Sequence, residues 1–183
     1  MILIIFSHPY PHRSHANKTL LEHISTIDHV VINDLYEKYP DFHIDVNAEQ
    51  ALLRRAELIV FQFPIYWYNV PALLKQWQEM VLTSQFSLAD NEQGRALQGK
   101  SAMAVVTAGN EHQSYQQGAS NNYKLDDFLR PLEQTAIHCG MHYHPPLVLH
   151  QAHSANKIEL AQFGQLYSQR IKQLYQQIKN NND

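Results

Sequence analysis

The chain has 183 residues, 44% of them hydrophobic and 17% charged, with eight Pro, six Gly and one Cys; these proportions describe one soluble globular domain over 1–183 and leave no room for a second of full size. A formal charge of −3 with scattered Lys and Arg excludes a nucleic-acid backbone as the main ligand, and no apolar run reaches the ~18 residues that span a bilayer. The unpaired Cys139, and a start (MILIIFSHPYP) too soon interrupted for a leader peptide, place the chain by expectation in the reducing cytoplasm.

Ile2 to Phe6 is a continuous apolar run ended by His8-Pro9, the pattern of a strand buried on both faces. Ser14 is a good N-cap, and Ala16, Leu20, Leu21, Ile24 and Ile27 follow at helical spacing. A second short strand is predicted at 30–32, then an irregular stretch over 34–45 and a short helix near 48–55. Residues 58–63 form a third strand that Pro64 stops. Asn69 and Pro71 suit the N-cap and first turn of a helix whose Leu73, Leu74, Trp77, Met80 and Val81 share a face. A fourth buried strand is expected at 102–106, and a helix at 125–137 that Pro131 bends or restarts. Residues 147–149 supply a fifth strand. Leu160, Phe163, Tyr167, Ile171, Leu174 and Ile178 define a long terminal helix.

Strands alternating with helices predict a parallel sheet with right-handed crossovers and helices on both faces. Five strands fit the flavodoxin-like order 2-1-3-4-5, an α/β/α sandwich of three layers. That order sets strands 1, 3 and 4 side by side, so the loops leaving their carboxyl ends converge where such sheets bind ligands.

The first of these loops, over 8–17, ends in a helix start whose free N–H groups and positive dipole end, with Ser14, His8, His12 and Arg13, offer a phosphate cradle without glycine. On that feature alone a plain capped helix is the commoner reading, because Ser before a helix is commonplace. The second, over 63–71, sets Tyr66, Trp67 and Tyr68 between two prolines, which suits a planar conjugated ligand; packing in a subunit interface or under a helix fits the same residues at least as well. The third, Thr107-Ala108-Gly109-Asn110, adds a hydroxyl and a glycine that lets backbone approach a ligand closely, or merely turns the chain. Their occurrence together, on neighbouring loops, is what points to a site.

Two signals point elsewhere. Gly94 to Ser101 matches the phosphate-loop pattern of nucleoside triphosphatases, but polar residues precede it and a strand follows, the reverse of what that mechanism needs. Twelve His invite a metal reading, yet none falls in a zinc spacing, so no metal is expected and His142, His144, His150 and His153 read as surface and strand chemistry.

The segments ILIIFSHPYPHRSHANKTLLE, YPDFHIDVNAEQALLRRAELIVFQFPIYWYNVPALLKQW and RPLEQTAIHCG, with His-Pro…Ser-x-x-Asn followed by F-P-x-x-W-Y-x-x-P, resemble the flavodoxin-like NAD(P)H:quinone oxidoreductases, above all the ancillary subunits of glutathione-regulated potassium-efflux systems. The resemblance implies a flavin, FMN rather than FAD. Its phosphate would be held by His8, Ser14, His15, Ala16 and Asn17. Its ring would lie against Ile65, Tyr66, Trp67 and Tyr68 and be closed over by Thr107, Ala108, Gly109 and Asn110. Tyr115 falls near the family's proton-transfer Tyr, whereas the His that accompanies it is replaced near Ser120, leaving His112 as a candidate substitute. The family's usual Thr-Thr-Gly-Gly is altered in the third loop, and Gln is commoner where Tyr66 stands.

The resemblance further implies NADH or NADPH as co-substrate, a quinone or similar electrophile as acceptor, a homodimer, and a potassium–proton antiporter as partner on the cytoplasmic face of the membrane. The alternative it allows is a non-catalytic, flavin-binding regulatory subunit of that antiporter.

Overall fold

Strand β1 (Ile2–Phe6) is buried along its whole length, and its side chains alternate between two cores, as the two-residue period of a strand requires. Leu3 and Ile5 join Phe61, Phe63, Trp77 and Leu129 on one face. Ile2 and Ile4 join Val60, Met103, Leu20, Tyr167 and Ile171 on the other. The computed structural model describes residues 1–88 and 95–182.

Five parallel strands, β1, β2 (Val30–Asp34), β3 (Leu58–Pro64), β4 (Ser101–Thr107) and β5 (His142–Leu149), lie in the order β2-β1-β3-β4-β5. Helices α1 (His15–Ser25) and α7 (Lys157–Asn182) cover one face. Helices α3 (Val46–Arg55), α4 (Ala72–Val81) and α6 (Leu125–His138) cover the other, with the single turns α2 (Leu35–Lys38) and α5 (Ser84–Ser87) between elements. The expected flavodoxin-like α/β/α architecture and strand order are thus observed.

Several boundaries differ from the sequence reading, each for a local reason. Asp34 ends β2 and caps α2 by accepting from the Tyr36 and Glu37 amides, so a helical turn opens the stretch expected to be irregular. Asp45 accepts from the Ala48 amide and starts α3 two residues early. At α4 the N-cap position is Pro71 rather than Asn69, and Met80 turns to solvent. Helix α6 runs unbroken through Pro131. Of the phosphate-loop-like string, Gly94 and the polar residues 89–93 before it lie outside the described residues; Lys100 donates to the Arg54 and Ala56 carbonyls at the end of α3, and Ser101 opens β4.

Among the described residues no helix is long and apolar enough to cross a membrane, and no group of three or more His, Cys, Asp or Glu could hold a metal ion.

Candidate functional site

The carboxyl ends of β1, β3 and β4 are stitched together by polar contacts that the strand register brings into reach. Ser14 caps α1, its Oγ accepting from the Asn17 amide at 3.2 Å. The Asn17 side chain is buried; its Nδ2 donates to Ser14 Oγ at 3.0 Å and to Thr107 Oγ1 at 3.0 Å, tying the first loop to the end of β4. Gln62 Nε2, on β3, donates to the Asn17 carbonyl at 3.4 Å. The Ile65 amide donates to the Thr107 carbonyl at 2.9 Å, fixing the second loop against the third.

These contacts enclose a cavity of about 210 Å³. His8, Ser14, His15, Ala16 and Asn17 from the first loop and α1, Ile65 and Tyr66 from the second, and Thr107, Ala108 and Gly109 from the third all line it. The cavity therefore gathers ten of the expected residues on three loops. Trp67, Tyr68, Asn110 and Tyr115 are not among its lining residues.

The second loop is a two-residue hairpin turn. Tyr66 and Asn69 exchange backbone hydrogen bonds of 3.0 Å each, with Trp67 and Tyr68 between them at φ 46° and φ 64°. Such turns need left-handed backbone at both central positions, which Asn and Gly adopt far more cheaply than aromatics. The turn leaves Trp67 92% exposed, while Tyr68 rests on Phe128 with ring centres 5.0 Å apart. Its Trp67 and Tyr68 amides have no backbone partner among the described residues.

The electrostatics favour an anion at the α1 end. Ser14 consumes the Asn17 and Lys18 amides, leaving those of His15 and Ala16 as the donors that α1 cannot satisfy itself. Among the described residues no carboxylate lines the cavity, whereas His8, Arg13, His15 and His153 do. His8 accepts the Tyr10 amide on Nδ1 at 3.0 Å, which assigns its proton to Nε2. Burial, and then the charge of nearby His153, lower its pKa to about 4, so it is neutral at pH 7.

Tyr115 is buried beside Phe128 and His150, with ring centres 6.4 and 5.6 Å away. Burial pushes its phenol up, and a backbone hydrogen bond with Asn110 offsets part of that. It lines a separate cavity of about 630 Å³ with His112 and His150, and His112 packs edge-on to His150 at 5.2 Å. Ser120 is exposed.

Sequence reasoning did not find the contribution of the loop after β5. The Ala152 amide donates to the Ala108 carbonyl at 3.0 Å and the Gln151 amide to Asn110 at 3.2 Å, extending the sheet by one more connection and bringing Ala152 and His153 into the cavity wall. Of the four histidines read as surface and strand chemistry, His142 and His144 lie on β5, the first exposed and the second meeting Ser101 at 3.1 Å. His150 packs with Tyr115, and His153, though exposed, also lines the cavity.

A doubly wound parallel sheet with a ligand-sized cleft where its strand order reverses defines a flavodoxin-like protein. The family model described as flavodoxin-like fold matches residues 1–171, and the chain belongs to that family. It is 43% identical over 171 residues to the glutathione-regulated potassium-efflux system ancillary protein KefF of Klebsiella aerogenes, covering 93% of this chain and 94% of that one. Among solved structures, the general stress protein 14 of Treponema denticola in complex with FMN is 34% identical with a TM-score of 0.86, covering 94% and 98% of the two chains. The NADPH-quinone reductase of P. pentosaceus is 31% identical with a TM-score of 0.84, covering 93% and 96%.

Proposed function

We propose that this chain is an FMN-dependent NAD(P)H:quinone oxidoreductase that also serves a potassium-efflux antiporter as an ancillary subunit. The observation that carries the reading is the carboxylate-free cavity at the ends of β1, β3 and β4, with the α1 N-terminus at one side and the hairpin turn at its rim. The similarity to an FMN-bound protein and to a quinone reductase supports the choice of cofactor and reaction. The similarity to KefF, named as an ancillary protein of a potassium-efflux system, supports the partner, and through it a place on the cytoplasmic face of the membrane.

The residues present fit the group. The free His15 and Ala16 amides, Ser14, His8 and Arg13 would hold a phosphate. Ile65 and Tyr66 would flank the ring, with the Trp67 and Tyr68 amides as donors to its edge, and Ala108 and Gly109 would close the opposite wall. Bound flavin would supply the redox chemistry, accepting hydride from NADH or NADPH and passing two electrons to a quinone. The protein's part is to fix the ring against the wall, to offer backbone donors near it, and to keep water from the buried side lined by Thr107 and Asn17. A homodimer would cover the exposed Trp67.

A second reading, a flavin-binding regulatory subunit without turnover, draws on one observation: Tyr115 opens on a separate cavity, away from the expected acceptor. Where the native chain does reduce quinones, replacing Tyr115 with Phe should lower that rate by far less than the ~10²-fold that loss of a general acid costs, with flavin content unchanged. The function itself is tested on purified protein by its visible flavin absorbance, by chromatography of the flavin released on denaturation, and by NADH and NADPH oxidation with several quinones. Colourless protein that takes up neither FMN nor FAD overturns the reading. A yellow protein that reduces no quinone, yet restores potassium efflux to cells lacking it, selects the regulatory one.

A further inference from the structure

The cavity is lined by three histidines, of which His8 and His153 lie on loops far apart in the chain and His15 opens α1. His8 follows β1 and is buried, with Nδ1 occupied by the Tyr10 amide and Nε2 left as its donor. His153 lies on the loop after β5, exposed to solvent on one side, next to the Ala152–Ala108 backbone bond. Its ring sits so close to Gly109 that a β-carbon there would be 3.3 Å from Cδ2 and 3.5 Å from Nε2. Its ring nitrogens have no hydrogen-bond partner among the described residues, and its charge is felt at His8. The other titratable groups lining the cavity are Tyr10, Arg13, His15 and Tyr66, so no carboxylate among the described residues competes for an imidazolium there.

We infer that His153 is a binding residue for the anionic end of the cofactor, sharing with His8 a site for a phosphate monoester whose binding takes up a proton. The inference rests on the FMN reading above and adds to it a residue and a pH dependence. The physical reason is charge. His8, with Nδ1 occupied by the Tyr10 amide, offers its Nε2–H as a neutral donor, and a dianionic phosphate in the cavity favours the charged form of His153 while accepting a hydrogen bond from each. Histidine is the side chain whose charge changes near neutrality, so affinity for the phosphorylated ligand should rise as pH falls, until the phosphate itself begins to protonate near pH ~6.

Fluorescence titrations of the flavin-free protein with FMN and with riboflavin, which shares the ring and lacks the phosphate, test this. For the native chain the FMN Kd should fall about three- to tenfold from pH ~8 to pH ~6, and the riboflavin Kd should stay flat. His153→Gln should weaken FMN about tenfold at pH ~6, remove the pH slope and leave riboflavin unchanged. His153→Arg should restore FMN affinity without the slope, because its charge does not titrate. Retained riboflavin binding reports that each variant is folded. A His153→Gln protein that binds FMN like the native chain, or that loses FMN and riboflavin equally, overturns the inference while leaving the FMN reading intact. Failure of the native chain to bind either flavin defeats the FMN reading itself, and the inference with it.

Discussion

Asn17 joins two loops through one amide group, donating to Ser14 and to Thr107 from a position 1% exposed. Replacing it with Ala leaves both hydroxyls without that donor, and Gln62 without the Asn17 Oδ1 acceptor that lies 3.4 Å from its Nε2. Unfolding in urea should show a loss of about 1–3 kcal/mol, the cost of stranding buried polar groups. Trp67 presents the opposite case. Its side chain packs against almost nothing and its backbone sits in the left-handed region, at a cost of about 1–2 kcal/mol for a residue of this kind. Trp67→Asn should therefore leave the urea midpoint unchanged or raise it by up to about 1 kcal/mol of stability. A marked loss would mean that the indole is covered in solution, as a homodimer requires. Sequence reading identified this aromatic triplet but not its turn, because the Asn-Gly signal of a two-residue hairpin is absent and the geometry is imposed by the Ile65–Thr107 bond and the Tyr66–Asn69 pair.

Among the elements, α3 and α4 are bound to the sheet through Glu49, a carboxylate 1% exposed. Its Oε2 accepts from Asn33 at 2.6 Å on β2 and from the Trp77 indole at 2.8 Å on α4. Its Oε1 accepts from Tyr39 at 2.7 Å and from Lys38 at 2.6 Å. Glu49→Ala strands the three buried donors of Asn33, Tyr39 and Trp77 and unpairs the more exposed Lys38, and should cost about 3–5 kcal/mol, read from chemical denaturation; Trp77 emission should shift as its indole loses its acceptor. The hydrophobic period located α3 and α4 but gave no sign of this link, since Glu49 and Tyr39 lie in segments that look like ordinary polar surface. The strands of the sheet interior were legible because burial on both faces makes them uniformly apolar. Strand β5 was not, beyond its last three residues: it pairs only with β4, at the edge of the sheet, and so carries His142, His144, Pro145 and Pro146, which an edge tolerates. Pro131 misled for a similar reason. It lies on the exposed side of α6, where water can take the carbonyl bond it gives up.

At the scale of the whole molecule, the candidate cleft and the contacts of the chain's first residue lie at opposite ends of the sheet. At the amino ends of the strands, Glu57 receives the Met1 ammonium, the Tyr175 hydroxyl at 2.9 Å and Lys179 at 2.6 Å, joining the start of β1 and the start of β3 to the last turns of α7. Burial raises the Glu57 pKa, but hydrogen bonds from Lys179, the amino terminus and Tyr175 outweigh it and lower the value from 4.5 to about 2. A carboxyl whose pKa is depressed on folding adds stability that is present in full above its unfolded value and is lost as pH falls through its folded one. The native chain should therefore lose this contribution between pH 4.5 and about 2. Glu57→Gln should be less stable than the native chain at neutral pH, and the gap should close on acidification through that window, as followed by circular dichroism in urea. Because the cleft lies at the other pole, flavin affinity at neutral pH should be the same in both proteins. A gap that persisted at the acid end of the window would mean that Glu57 acts by packing rather than by charge, and a changed flavin affinity would mean that the two poles of the sheet are coupled.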